Sequence, residues 1–289
     1  MDRITIIGMG LIGSSLARRL TEKRLFKTVV AADHNIDVCQ KVRDLGFADE
    51  VTDTLEKSVE GADMVVLAVP VGAMGKVMQR IASNLKTGVV ISDTGSVKQA
   101  VVDMIKPYCR RGIEFVPAHP IAGTEFSGPE SGFSTLFEGR WCVLSPLPDV
   151  SVQAVEAVTR LWESCGSMVE IMDIKHHDLV LGITSHLPHL IAYTIVGTAN
   201  DLEDDIKSEV IKFSASGFRD FTRIAASDPT MWRDVFLNNK DAVLEILQRF
   251  NEDLTAMQRA IRKGDGDYLY RCFGDTRSIR QAIVEIGQA

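Results

Sequence analysis

The sequence predicts a doubly wound parallel α/β domain over residues 1–171, followed by an all-helical domain over residues 172–289. Three features predict it. Short apolar runs alternate with amphipathic helical patterns through the first part, which is how βαβ units read. A glycine-rich turn, Gly8-Met9-Gly10-Leu11-Ile12-Gly13, joins the first run to the first helical pattern. After about Met172 strand candidates stop and long helical patterns take over.

The elements follow in order. Strands are expected at Ile4–Ile7, Thr28–Ala32, Asp63–Val69, Gly88–Ser92 and Ile113–Pro117. Met64 to Val69 is almost wholly apolar, as a central strand covered on both faces should be. Helices are expected at Leu11–Lys23, Ile36–Leu45, Met74–Leu85 and Lys98–Cys109. Trp141–Ser145 and Ser167–Ile171 add strands around a helix at Val150–Glu163. The second domain is expected as helices at Ile174–Asn200, Asp205–Ser214, Met231–Lys263 and Tyr268–Ile286, the last two separated by the turn signal Lys263-Gly264-Asp265-Gly266-Asp267.

Bulk properties narrow the function. A net charge of −7 gives no support to a nucleic-acid or anionic-membrane partner. Five scattered cysteines, Cys39, Cys109, Cys142, Cys165 and Cys272, form no Cys-x-x-Cys pair. They suit a reducing compartment rather than a disulfide framework or zinc site. No uninterrupted apolar run approaches the roughly 20 residues that a membrane span needs. The chain opens on a strand pattern without a leader, so a cytoplasmic protein is expected.

The glycine turn follows a strand and opens a helix, the context in which G-x-G-x-x-G binds a dinucleotide. Gly8 allows the tight turn, Gly10 a close backbone approach to the pyrophosphate, and Gly13 close helix–sheet packing. Leu11 and Ile12 lie in the same turn, at a helix N-terminus that offers free N–H groups to phosphate. Asp33 ends the second strand, placed to accept hydrogen bonds from ribose hydroxyls. A carboxylate there repels a 2′-phosphate, and no arginine is adjacent, so NAD is favoured over NADP. Val69 and Pro70, at the end of the central strand, are counted with the cofactor contacts.

Asp93-Thr94-Gly95-Ser96-Val97-Lys98 closes another parallel strand, at the edge where open α/β sheets bind ligands. Ser96 reads either as a helix cap or as a substrate contact. His119 is expected just beyond the strand ending at Pro117, held between Pro117 and Pro120. An edge-placed, restrained histidine suits acid–base work near neutral pH. Glu125 lies in the glycine-bearing loop that follows. His186 and His189 share a helix face, His186 expected in the core and His189 at an interdomain cleft through a kink at Pro188. Two histidines without a third clustered ligand make no metal site. Arg219 and Arg223 are candidate carboxylate anchors, or partners of Asp220 in a surface ion pair.

Taken in order, the fingerprint, Asp93–Lys98, His119–Gly128, Ser185–His189 and Gly217–Trp232 resemble the prephenate/arogenate (cyclohexadienyl) dehydrogenase family of tyrosine biosynthesis, over nearly the whole chain. The resemblance implies a Rossmann-type NAD-binding domain, an all-helical dimerisation domain, a homodimer, and an active site between the domains. It implies NAD-dependent oxidative decarboxylation of prephenate to 4-hydroxyphenylpyruvate, of arogenate to tyrosine, or of both. It assigns His119 as the catalytic histidine at the ring hydroxyl and Ser96 as the serine near that hydroxyl and the nicotinamide. Arg223 becomes a carboxylate anchor, His189 a substrate-site histidine, and Glu125, Asp220 and Trp232 positions around the pocket. A neutral His119 then predicts activity falling below pH ~6.5, unless neighbours shift its pKa. A β-hydroxyacid dehydrogenase is the second enzyme reading, but no lysine here has asparagine four residues later, the pattern that group shows.

Overall fold

The computed structural model describes residues 1–110, 112–201, 209, 212, 213 and 215–285. The expected helix Asp205–Ser214 falls largely outside them. The chain forms two compact units, Met1–Lys240 and Asp241–Ala289.

The first unit is built on a six-stranded parallel sheet of order β3-β2-β1-β4-β5-β6. Its strands are β1 Arg3–Ile7, β2 Thr28–Ala32, β3 Glu50–Thr52, β4 Met64–Leu67, β5 Val90–Asp93 and β6 Glu114–Val116. β1 pairs with β2 on one side and β4 on the other, so the strand order reverses beside it. Ligands bind at such a reversal, outside the carboxyl ends of the strands. Helices α1 Leu11–Lys23, α2 Ile36–Leu45, α3 Leu55–Ser58, α4 Val71–Ile81 and α5 Gln99–Ile105 connect the strands. Buried apolar residues form two clusters, one containing Ile4, Leu16, Val29 and Met64, the other Ile7, Val65, Met78 and Ile91. Alternate residues of β1 and β4 thus enter different clusters, as a sheet covered on both faces requires.

Two elements here were not expected from sequence. β3 is three residues long, pairs only along β2 at the sheet edge, and is partly exposed, so it leaves no apolar run to recognise. α3 spans a single turn.

The chain turns sharply after β6 into a second sheet of order β7-β8-β9: β7 Ala118–Pro120, β8 Trp141–Leu144 and β9 Met168–Ile171. His119 therefore lies within a strand, opposite Val143, and not on a free loop. Pro117 separates the strands and cannot donate to either ladder. α6, Val152–Ser164, packs Val158, Leu161 and Trp162 into the core.

From Ile174 the chain is helical: α7 Ile174–Leu181, a π turn Gly182–His186, and α8 Leu187–Asn200 run on without a loop. Pro188 does not end this helix. The wide turn directly before it absorbs the missing N–H, with the Leu187 N–H donating to the Gly182 carbonyl. Although no uninterrupted apolar run of span length occurs in it, Ile174–Asn200 is by length and composition long and apolar enough to cross a membrane, an 18-residue window within it having mean hydropathy 1.5. It nevertheless carries buried His177, Asp178 and His186.

α9 Ser216–Thr222 and α10 Pro229–Asn238 complete the unit. The helix expected across Met231–Lys263 is broken at Asn239, whose side chain donates to the Asp178 carbonyl. The second unit holds most of α11, Lys240–Lys263, and α12, Gly266–Glu285. They join at Gly264, where φ is +68°, and Asp265 accepts from the Tyr268 N–H to start α12.

Candidate active site

The glycine turn forms a cradle at the strand reversal. Gly8 has φ +100°, and a Cβ there would lie 2.5 Å from the Ala68 carbonyl oxygen. A Cβ on Gly13 would lie 1.9 Å from the Gly8 carbonyl oxygen. Both positions are closed by the fold itself. Gly10 differs: a Cβ there would meet nothing within 4 Å. The chain thus leaves room beside the N-terminus of α1 that folding does not use. Asp33 accepts from the Met9 N–H at 2.9 Å and from the Asn35 N–H at 2.9 Å, so it braces the turn from the end of β2. The cap of α2 is Asn35, not Asp33. Val69 is partly buried, against Gly8, and Pro70 caps α4. Open space at Gly10, free N–H groups and a carboxylate on the neighbouring strand together fit a dinucleotide.

The turn after β5 is held by a buried ion pair. Lys98 is fully buried, and its Nζ donates to Asp93 and to the Ala118 carbonyl. Asp93 also accepts from the Gly95 and Ala118 N–H groups. These bonds fix the Ser96 turn against β7. Lys98 thereby anchors the residue before His119. Ser96 does not cap α5; that helix starts at Gln99, and its exposed N–H groups are taken by Asp178, which accepts from Lys98 N at 2.7 Å and Gln99 N at 2.9 Å. The Ser96 hydroxyl makes no hydrogen bond among the described residues.

His119 is buried, and its Nδ1 lies 2.9 Å from His177 Nε2. His177 Nδ1 lies 2.8 Å from Asp178 Oδ1. Nε2 of His119 makes no hydrogen bond among the described residues. Burial pushes the His119 imidazole well below its usual range, and His177, the Lys98 cation and His186 push the same way. Burial also lowers His177, against the pull of Asp178. Burial acts to raise Asp178, but hydrogen bonds from His177, Lys98 N and Gln99 N outweigh it and keep the carboxyl below its usual value.

The helix Ile174–Asn200 supplies the other side. His186 is fully buried, its Nδ1 3.1 Å from Asn239 Nδ2, and burial pushes it down to about 4. It is a core histidine, as expected. His189 donates from Nδ1 to the Ser185 carbonyl at 2.8 Å and stacks on Trp232, with ring centroids 3.6 Å apart. This leaves its Nε2 as an acceptor. Burial lowers its pKa, offset by the Ser185 bond, and the Arg223 cation lowers it further. Trp232 packs on Val97, next to Ser96. Arg223 pairs with Glu125 at 3.1 Å, so the expected anchor and the loop carboxylate are partners. Arg219 and Asp220 are both exposed and form no ion pair among the described residues, with each other or with Arg223.

Sequence reasoning missed His177, Asp178, Lys98 and Asn239. The signal was His177-Asp178 at the start of an otherwise apolar helix. Burial of two adjacent ionisable residues there requires that each be paired. Among the described residues no cluster suited to a metal ion occurs.

Comparison with known proteins places this geometry. The family model described as prephenate dehydrogenase, nucleotide-binding domain, matches residues 16–171. The model described as prephenate dehydrogenase, dimerization domain, matches residues 173–275. A cyclohexadienyl dehydrogenase of Zymomonas mobilis is 41% identical over 97% of this chain and 95% of its own. A prephenate dehydrogenase of Bacillus subtilis is 31% identical over 98% of this chain and 76% of its own. The crystal structure of prephenate dehydrogenase from A. aeolicus, in complex with hydroxyphenyl propionate and NAD+, has a TM-score of 0.91 at 33% identity and covers 98% of each chain.

Proposed function

The chain belongs to the prephenate dehydrogenase family, and from that membership and the site's geometry we propose that it oxidatively decarboxylates prephenate, arogenate or both with NAD. Residues 1–171 then form the nucleotide-binding domain and 172–289 the helical substrate and dimerisation domain. NAD, held by Gly8, Gly10, Leu11, Ile12, Gly13, Asp33, Val69 and Pro70, supplies the hydride acceptor. The A. aeolicus relative, 33% identical, is described as a complex with NAD+, which supports this choice.

His119 Nε2 accepts the proton of the substrate's ring hydroxyl as carbonyl character builds at that carbon. The ring then draws in the electron pair released as the carboxylate leaves as CO₂. Aromatisation makes the step irreversible, and His119 returns the proton to the phenolic oxygen. Ser96, at the turn beside His119, orients the hydroxyl. His189 Nε2 accepts from the substrate on the helical side. Arg223 takes a substrate carboxylate, which must displace Glu125 from it, while Arg219 and Asp220 line the exposed approach. A bidentate guanidinium–carboxylate contact suits that exchange. The observation that carries the reading is a buried histidine with Nδ1 committed and Nε2 free.

The test is NADH formation with each substrate. Turnover of prephenate or arogenate, and none of a β-hydroxyacid, is expected; turnover of neither, with NAD bound, overturns the reading.

A cytoplasmic homodimer completes the proposal. The dimerization-domain match and two apolar surfaces support it. Only 22% of the apolar window in Ile174–Asn200 is buried, and α11 and α12 expose Leu244, Leu254, Ile261, Phe273 and Ile279. Sedimentation as a monomer at micromolar concentration overturns the dimer.

A further inference from the structure

His119, His177 and His186 are buried and His189 half-buried in the first unit, and two of them, His119 and His177, form a directed chain ending on a carboxylate. The direction follows from what each atom can do. Asp178 Oδ1 accepts from the backbone N–H of Lys98, and Oδ2 from that of Gln99, so the carboxylate is ionised and acceptor-only. His177 Nδ1 must therefore carry a proton to donate at 2.8 Å. A neutral His177 then presents a bare Nε2, and among the described residues the group hydrogen-bonded to it, at 2.9 Å, is His119 Nδ1. His119 must donate from Nδ1. The lone pair of His119 is left on Nε2.

We propose that His177 and Asp178 are a positioning pair for the reaction: they fix His119 in the Nδ1–H tautomer and so place its base on the side that faces substrate. This rests on the reading of His119 as the base. A histidine without this chain divides between two tautomers, and the Nε2–H form offers a donor where an acceptor is needed. Once Nε2 takes the hydroxyl proton, the imidazolium keeps its Nδ1–H bond to His177, which in turn donates to Asp178. The positive charge is stabilised along the chain while Asp178 stays ionised.

The surroundings also favour a neutral resting imidazole. Lys98 and Asp93 face His119 from the β5 turn, through Asp93's bond to the Ala118 N–H; His177 and Asp178 face it from α7, and His186 from the π turn. Lys98 is buried and paired with Asp93, and a further buried charge beside that pair is disfavoured, which favours a neutral resting imidazole. Lys98 N also donates to Asp178, so the same residue anchors both ends of the chain.

Asp178→Asn separates this role from simple packing. An amide cannot serve all three donors that Asp178 accepts from. Turned to the Oδ1 side, its NH₂ donates to His177 Nδ1, reversing His177 and turning His119 to Nε2–H. Turned to the Oδ2 side, it opposes the Gln99 N–H and leaves His177 without a charged acceptor. The volume hardly changes. In the acyl-transfer triads the equivalent wrong tautomer costs about 10⁴-fold in kcat, so a fall of about 10²–10⁴-fold in kcat is expected, with KM and NAD affinity kept. His177→Gln retains an acceptor for His119 Nδ1 and should restore most of the turnover that His177→Leu loses.

The deciding measurement needs neither cofactor nor substrate: the ring ¹⁵N signals of His119 in the cofactor-free protein. Expected is a protonated Nδ1 and a bare Nε2 in the wild type, changing in Asp178→Asn or, should that variant not fold, in His177→Leu. A wild-type His119 protonated on Nε2, or variants that keep both tautomer and kcat, overturns the proposal. If the tautomer is as expected but neither prephenate nor arogenate is consumed, the positioning pair stands and the assigned reaction fails.

Discussion

Replacing Gly10 with Ala tests the cofactor cradle without disturbing the fold. Gly10 has φ −76° and ψ −163°, backbone that alanine adopts without strain. Its Cβ would enter space with nothing within 4 Å. Two small effects on stability oppose each other. Alanine is a poorer N-cap than glycine by roughly 0.5–1 kcal/mol, and it loses about 0.4–1 kcal/mol less entropy on folding. The net change should stay within about 1 kcal/mol, or a Tm shift of about 2–4 °C for a chain of this size.

Cofactor affinity should respond differently. The methyl occupies the approach of the pyrophosphate to the first N–H groups of α1. Losing one charge-assisted hydrogen bond costs about 1.5–3 kcal/mol, so NAD should bind about 10- to 100-fold more weakly. Gly13→Ala is the contrast, because its Cβ would sit 1.9 Å from the Gly8 carbonyl oxygen. That variant must open the turn and should lose about 1–3 kcal/mol of stability as well as affinity. Calorimetric titration with NAD and a thermal melt on each variant give both quantities. Wild-type NAD affinity in Gly10→Ala would show that the pyrophosphate does not lie there, and the cradle reading would fall.

Other consequences are checked separately. His119→Asn should lower kcat by about 10²–10⁴-fold with NAD binding kept; unchanged turnover removes His119 from the mechanism. Because burial holds His119 well below its usual range, its neutral form persists in acid, and the acid limb of kcat/KM should lie below pH ~6.5, not at it. An inflection at or above that pH, assigned to His119 by its loss in His119→Asn, refutes the depressed pKa. Stability should also fall in acid: His186 is pushed down to about 4 in the fold, so below pH ~6.5 the unfolded chain takes up a proton that the folded chain refuses, and urea melts at pH ~5 should show about 2 kcal/mol less stability than at pH ~7 from this group. Equal stability at the two pH values contradicts a buried neutral His186. Arg223→Ala should chiefly raise KM, and a wild-type KM removes its anchoring role.

Where the sequence was legible, periodicity and turn chemistry both spoke. β1, α1, β2 and α2 are readable because apolar runs alternate with helical patterns and a glycine turn marks the first boundary. β3 was not, because an edge strand of three part-exposed residues has no pattern to carry. The break at Asn239 was hidden for another reason: apolar spacing continues through it, and the cause is a tertiary hydrogen bond to Asp178. Pro188 signalled a disturbance within the continuous helix, but nothing local announces that it takes the form of a π turn before the proline. The candidate site divides along the same line. Gly8, Asp33 and His119 stand in sequence contexts with a mechanism attached. His177 and Asp178 acquire theirs only when α7 is brought beside β7, and no spacing rule links residues 58 apart.

In the proposed reaction, the position of His119 on a strand decides what kind of base it is. A histidine on a glycine-flanked loop would sample several orientations, and substrate binding would have to select one. Here β7 pairs with β8, Ala118 is tied through Lys98 and Asp93 to the β5 turn, and His177 holds the imidazole by its far nitrogen. Each attachment removes a different freedom: the ladder fixes the backbone, the ion pair fixes the turn carrying Ser96, and the ring contact fixes orientation and tautomer. Precision of about half an ångström in a reacting group requires that kind of support from rigid elements. In the proposed reaction the mobility needed to admit substrate then falls to the Glu125–Arg223 pair, which is part-exposed and worth little as a surface ion pair. A carboxylate substrate can open that pair without moving the base.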